Sequence, residues 1–261
     1  MGVIVVPYFI ADPIGGLDAP GPALLITPSL PAGTAQARMG VLYRVLADAV
    51  AERVRAGDVP LVYAGDCLAA IGVLAGLQRA GLDPTLVWFD AHGDFNTWET
   101  TRSGFLGGMP LAMIVGRGER TIVDATGLTP VPEARVTLVG ARDLDPGEDT
   151  AVAGSAMTVL PVAGVAGWIP PEGPIHLHVD LDVVDPGEMP AHNYPAPGGP
   201  SLREVREALE HLAATGRVAA VSFSTWNPAK PGADVAAAAA LELAAPFLSP
   251  GSRGAPDDHA E

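Results

Sequence analysis

The sequence predicts an α/β fold, a mostly parallel sheet with helices on both faces, and three observations lead to it. Short apolar runs such as Leu86-Val87-Trp88-Phe89 have the length and the aromatic or β-branched content of strands buried on both sides. Longer stretches with apolar residues at helical spacing alternate with those runs, as in a parallel sheet crossed by helical connections. The polar clusters fall directly after the strands, where open α/β sheets place their ligands.

Taken in order, Val3 to Phe9 is read as the first strand and the Gly- and Pro-rich stretch from Asp12 to Pro22 as a loop. Ala35 to Arg55 places Met39, Leu42, Val45, Leu46, Ala49 and Val50 on one stripe, with Arg38, Arg44, Asp48 and Glu52 elsewhere, which predicts an amphipathic helix. Pro60 to Ala64 is a strand ending in Gly65-Asp66-Cys67, and Leu68 to Ala80 a helix. The strand ending at Asp90 leads through a Gly-rich loop, Ser103 to Met109, into a short helix from Pro110 to Val115. Val136 to Gly140 is a strand that runs into Arg142-Asp143-Leu144-Asp145-Pro146-Gly147-Glu148, and Ile175 to Val179 is another. Leu202 to Ala213 is a helix with Ser201 as N-cap and Glu204 three residues on, a capping box. Val218 to Phe223 is the last strand and Ala233 to Phe247 an Ala-rich final helix. No internal repeat or linker interrupts the pattern, so residues 1–248 are expected to form one domain, followed by a polar, disordered tail at 249–261.

Composition narrows the function. Of 261 residues, 48% are hydrophobic, enough for a large core, while 15 Lys and Arg against 30 Asp and Glu give a net charge of −15. That excess disfavours nucleic acid or an anionic membrane as partner. The single Cys excludes an internal disulfide and suits a reducing cytosol. The N-terminus lacks a basic segment before its apolar run, and Val6 stands where a myristoylation signal needs Ser or Thr. No apolar run approaches the roughly 20 residues of a membrane span. The expectation is a soluble, cytoplasmic protein.

Chemistry is concentrated in two stretches. Asp90, His92 and Asp94 alternate after a buried strand, and in an extended segment their side chains would share one side, as a metal requires. Asp180 and Asp182 repeat the spacing after a second strand, with Asp185-Pro186 closing the turn. Carboxylates gathered at one point repel unless cations lie between them, and two divalent ions are the simplest remedy. A lone DxD is commonly a solvated turn and a lone buried Cys commonly a small hydrophobe, so the weight rests on the joint pattern. His176 and His178 read as packed, hydrogen-bonded strand residues, His211 as a surface-helix residue and His259 as part of the tail.

DAHGDFN at 90–96 and DLDVVDP at 180–186 together resemble the ureohydrolase family, the arginases, agmatinases and their relatives, which are binuclear manganese hydrolases with a three-layer fold. The resemblance implies that Asp90 and Asp180 bridge two Mn2+ ions, that His92 and Asp182 complete one, and that Asp94 and Cys67 complete the other. Cys67 stands where the family's Gly-Gly-Asp-His segment has its His. Sulfur tilts a site somewhat toward zinc or iron, while the carboxylates favour manganese. Asp94 is further expected to accept a hydrogen bond from the attacking water.

The departures bear on substrate. The family's Ser-Gly-Asn-Leu-His-Gly loop, whose His shuttles a proton to the departing amine, is here Ser103-Gly104-Phe105-Leu106-Gly107-Gly108. The family's Glu on the last strand, which holds a guanidinium, is absent from Thr225-Trp226-Asn227-Pro228. The amino-acid end is kept: Asn96 and Ser103 match positions that recognise an α-carboxylate, and Asp145 matches one that addresses an α-ammonium. Asp145 also lies in what could be an ordinary Asp-Pro-Gly turn. Together these imply a small amino-acid substrate with a reacting group less cationic than arginine's, such as an Nω-hydroxyguanidine, with Thr225 hydrogen-bonded to that group. A ureohydrolase of another guanidino acid, with water or His192 as shuttle, and a non-catalytic metal-binding relative are the alternatives. Family members commonly form trimers or hexamers; the short polar tail here favours a monomer.

Overall fold

A computed structural model describes residues 2–17, 19, 21–224 and 226–248. In chain order the elements are β1 (Gly2–Val6), β2 (Tyr8–Phe9), β3 (Asp12–Pro13), β4 (Ala23–Leu25), α1 (Ala35–Arg55), β5 (Pro60–Ala64), α2 (Ala69–Arg79) and β6 (Thr85–Phe89). Then follow α3 (Pro110–Ile114), α4 (Thr121–Thr126), β7 (Val136–Val139), α5 (Glu148–Ala153), β8 (Thr158–Leu160), β9 (Ile175–Asp180), α6 (Leu202–Ala214), β10 (Val218–Ser224) and α7 (Ala233–Leu248). Eight strands form one sheet in the order β4-β1-β5-β10-β9-β6-β7-β8, and every pairing in it is parallel.

Strand pleating divides the core in two. Val62, Ala64, Leu86 and Trp88 point into the layer closed by α1, α2 and α4, whereas Leu61, Tyr63, Val87 and Phe89 point into the layer closed by α6 and α7. The expected arrangement, a parallel sheet between two helical layers, is therefore present. Two of its helices start at side-chain caps: Thr34 Oγ1 accepts from Ala37 N, and Ser201 and Glu204 form the expected reciprocal capping box. Among the described residues no helix is long and apolar enough to cross a membrane.

Two expectations are corrected. Val3 to Phe9 is not one strand: β1 ends at Val6, and Tyr8–Phe9 pairs antiparallel with Asp12–Pro13 instead. Pro7 has no N–H to extend the sheet, and Ile10 and Ala11 carry the turn at φ of 47° and 66°. The segment from Asp90 to Asp94 is not extended. The strand ends at Phe89, His92 keeps only an isolated parallel bridge to Asp143, and Asp94 adopts φ of 50°, so a turn contributes to bringing the ligands together. The strands β4 and β8 and the helices α4 and α5 are additions that the sequence pattern did not reveal. The tail at 249–261 lies outside the described residues.

Strands β5 and β6 are consecutive in the large sheet's chain order, yet β10 and β9 lie between them. The carboxyl ends of β5, β6 and β9 thus deliver Cys67, Asp90 and Asp180 to one crevice, at a reversal of winding where such sheets bind ligands.

Candidate metal centre

The site is assembled from three turns. After β6, Asp90 is fully buried; its Oδ2 accepts from Trp88 Nε1 at 2.9 Å and its Oδ1 from His92 N at 2.7 Å. Glu148 can approach this segment because position 93 is glycine: a Cβ there would lie 2.7 Å from the Glu148 carboxylate. After β9, Asp180 caps a 3-10 turn, Leu181–Val183, and accepts from Asp182 N at 3.0 Å, while Asp182 Oδ1 accepts from Ala91 N at 3.2 Å. After β5, Gly65 passes under the hairpin, where a Cβ would meet Tyr8 O at 2.2 Å. Buried Asp66 accepts from Tyr43 Oη (2.6 Å), Ile10 N (2.8 Å) and Leu68 N (3.1 Å), which fixes the turn that carries Cys67.

These turns bring together two ligand groups, Cys67 with Asp90 and Asp180, and Asp90 with His92 and Asp182. Within each group the candidate ligand atoms lie within 4.8 Å of one another, and Asp90 belongs to both. Cys67 Sγ is 2.6 Å from Asp180 Oδ2, and His92 Nδ1 is 3.3 Å from Asp90 Oδ1 and 3.2 Å from Asp182 Oδ2. Asp94 lies outside both groups but lines the same cavity, and among the described residues its buried Oδ2 has no hydrogen-bond partner. Hard oxygen and nitrogen donors, one sulfur and an orphaned carboxylate oxygen together fit a pair of divalent cations.

Electrostatics point the same way. Burial first, and then the charge of Asp182, pushes the Asp90 carboxyl up; burial, Asp90 and Asp180 push Asp94 well above its usual range. The Cys67 thiol is raised by burial and then by Asp180, Asp94 and Asp90. For His92 burial acts downward, but its contacts with Asp182 and Asp90 hold it up to about 12. A bound cation removes the mutual repulsion that drives these shifts.

His176 and His178 are fully buried and share Ser222 Oγ at 2.9 and 2.8 Å, and the His178 ring lies 3.9 Å from that of Trp88. Burial lowers both, His176 to about 3, so they are neutral structural residues and join neither ligand group, in line with the sequence reading. His211 sits part-exposed on α6, and His259 lies outside the described residues. His192 is buried but is not among the cavity-lining residues.

The substrate-end candidates Asn96, Ser103 and Asp145 line the same cavity, of about 530 Å³, as Cys67, His92, Asp94, Asp180 and Asp182. Asn96 Nδ2 donates to Asp145 Oδ2 at 3.2 Å and its Oδ1 accepts from Thr100 Oγ1 at 2.9 Å; Ser103 is exposed. Thr225 lies outside the described residues. Glu148, which sequence reasoning quoted without a role, is buried against the cavity and accepts from Phe95 N at 2.8 Å and Asp145 N at 3.0 Å. It ties the ligand turn to the substrate-end turn, and its place opening a helix after Asp-Pro-Gly was the available signal. Phe9 and Tyr194 were also missed. With Phe105 they form an aromatic wall, the rings 6.2 Å (Phe9–Phe105) and 5.0 Å (Phe105–Tyr194) apart.

Comparison with known proteins gives a consistent answer. Curated relatives include the arginases of Bacillus subtilis (strain 168), 35% identical over 196 residues, and Brevibacillus brevis, 34% identical over 197. Each alignment covers 70% of this chain and 66% of the relative, so the chain matches just under two thirds of those proteins' length. The crystal structure of Bacillus subtilis arginase superposes with a TM-score of 0.82 at 29% identity, over 95% of this chain and 99% of that one. Residues 27–249 match the Arginase family model, and the chain therefore belongs to the arginase family.

Proposed function

We propose that the protein is a binuclear manganese amidinohydrolase that cleaves Nω-hydroxy-L-arginine to hydroxyurea and L-ornithine. Family membership supports hydrolysis of a guanidino compound, and the departures from the family pattern support the hydroxylated one. The observation that carries the choice is at Gly107: a Cβ there would lie 2.3 Å from Phe105 Cε1 and 2.5 Å from Cζ. An aromatic ring fills the space beside the position from which the family's His reaches the departing amine.

Cys67, Asp90, His92, Asp94, Asp180 and Asp182 would hold the two ions. When bound, divalent ions lower the pKa of water and stabilise charge on the attacked group. Asp94 Oδ2, buried and unbonded, accepts a hydrogen bond from the attacking water. Asp145 and Asn96 orient the amino-acid end, with Ser103 adding a hydroxyl donor. Water adds to the central carbon, the bond from that carbon to the ornithine nitrogen breaks, and a proton passes to the leaving amine. With glycine at 107, the substrate's own hydroxyl is the group that assists this transfer. Thr225 would hydrogen-bond the reacting group, whose electron-withdrawing hydroxyl makes it less cationic than arginine's guanidinium.

These features resemble the Nω-hydroxy-L-arginine amidinohydrolase of D-cycloserine biosynthesis, and we assign the protein to that role, as a cytoplasmic monomer. A second reading, hydrolysis of L-arginine itself, draws on the names of the curated relatives, which are arginases. Steady-state assay of the manganese-loaded protein on both substrates separates them: preference for hydroxyarginine by at least about tenfold in kcat/KM is expected, a difference of about 1.4 kcal/mol. Equal or greater activity on arginine refutes the first reading.

A further inference from the structure

The cavity presents an electrostatic problem for an amino acid. Among the described residues twenty line it, seven of them Asp or Glu, and Arg102 is the only Arg or Lys of that set. Beyond the groups that would hold cations and Asp145, which would meet the ammonium, Asp143 and Glu148 remain to repel an entering carboxylate. The neutral donors carry no charge to offset this. Asn96 has already committed its Oδ1 to Thr100 and one N–H to Asp145, and Ser103 Oγ accepts from Phe105 N at 3.1 Å; Thr101, Asn193 and Tyr194 line the same cavity.

We propose that Arg102 pairs with the carboxylate of the amino-acid substrate and thereby sets the preference for that substrate over its decarboxylated counterpart. The proposal rests on the reading of the substrate as an α-amino acid, and not on which guanidino group reacts. Arg102 is exposed, and among the described residues its guanidinium has no hydrogen-bond or ion-pair partner. Arg142 offers the contrast: it donates to the carbonyls of Asp182 (3.1 Å), Val183 (3.0 Å) and Ala196 (2.7 Å) and does not line the cavity. The base of the Arg102 side chain is fixed, because Thr101 Oγ1 accepts from Gly104 N at 3.1 Å and Gly104 turns the chain at φ of 68°. A planar guanidinium that lines the same cavity as Asn96 and Ser103 suits bidentate recognition of a carboxylate.

The test compares the manganese-loaded wild type with Arg102→Gln and Arg102→Lys on two matched pairs: Nω-hydroxy-L-arginine with its decarboxylated amine, and L-arginine with agmatine. Arg102→Gln is expected to raise KM for the amino acids by roughly tenfold with kcat within about twofold, and to leave kcat/KM for the amines unchanged or raised. Arg102→Lys retains part of the discrimination, and added salt lowers amino-acid kcat/KM in the wild type more than in Arg102→Gln. A loss shared equally by acid and amine, or no change for either, overturns the proposal. Should arginine prove the better substrate, the reading of the reacting group fails while the arginine and agmatine pair still tests Arg102. Calorimetric titration with L-ornithine and with putrescine probes the same contact without turnover: equal ornithine affinity in wild type and Arg102→Gln refutes the assignment.

Discussion

Replacing Gly107 with His tests whether the missing shuttle can be restored by one substitution. The Cβ of the new residue would sit 2.3 and 2.5 Å from Phe105 ring carbons, against the roughly 3.5–4.0 Å of a relaxed carbon contact, so the ring must move by more than an ångström. That ring is held from two sides, by Tyr194 at 5.0 Å and Phe9 at 6.2 Å, and each such aromatic pair contributes roughly 0.5–1.5 kcal/mol. Gly107→His alone is therefore expected to destabilise the protein by about 1–3 kcal/mol, a fall in Tm of roughly 2–4 °C for each kcal/mol, without conferring arginine hydrolysis. Phe105→Ala removes the obstacle. In the double variant the two costs should not add, with a coupling of about 1 kcal/mol or more, and arginine turnover should rise above that of either single variant. Thermal denaturation of the four proteins with a urea-release assay measures both quantities. A Gly107→His protein as stable as the wild type, or strictly additive effects, would show that Phe105 does not occupy this space.

Three further outcomes follow from the site. Cys67→Ala should lower bound manganese from two ions per chain toward one by elemental analysis, since its sulfur converges with Asp90 and Asp180; two retained ions would remove Cys67 from the ligand set. The gain in Tm on adding manganese to chelated protein should grow as pH rises above the ordinary carboxylate range. Asp90 and Asp94 have folded pKa values raised by burial and repulsion, so the metal-free fold loses stability as pH rises through them, and the cation reverses that loss. Buried neutral His176 and His178 act in the opposite sense but cancel in the difference, because they bind no ion; a pH-independent gain would contradict the assignment. Gly65→Ala would drive a Cβ to 2.2 Å from the Tyr8 carbonyl oxygen, a backbone atom that cannot rotate aside, and should cost roughly 3 kcal/mol. Gly167→Ala, which meets nothing within 4 Å, is the control, and equal denaturation midpoints for the two variants would refute the crowding.

The long elements were legible because their patterns are local. The 21 residues of α1 carry an apolar stripe, and β5 and β6 are unbroken buried runs, so their limits were read nearly to the residue. The edge strands β4 and β8 were not, since Leu25 and Val159 are 59% and 47% exposed and no burial pattern marks them. The hairpin of β2 and β3 was hidden by its turn: Ile10 and Ala11 occupy the left-handed region that sequence reasoning reserves for Gly and Asn. Asp90, His92, Asp94, Asp180 and Asp182 announced themselves through spacing and composition, although the backbone that gathers them differs from the extended one inferred. Phe9 and Tyr194 carry no such local sign, and Glu148 only its place after Asp-Pro-Gly, because their roles arise when distant turns meet at the cavity.

The stitching of the 90–96 turn to the 141–148 turn has a practical consequence. Ala91 O accepts from both Arg142 N and Asp143 N, and Glu148 accepts from Phe95 N and Asp145 N, so the two turns form one rigid cup. Lengthening or reshaping the 141–148 stretch would pull on the cation ligands themselves. The opposite lip, built from Arg102, Phe105 and Tyr194, shares none of those backbone links. Libraries that seek a new substrate for this scaffold should therefore vary that lip and leave the cup alone.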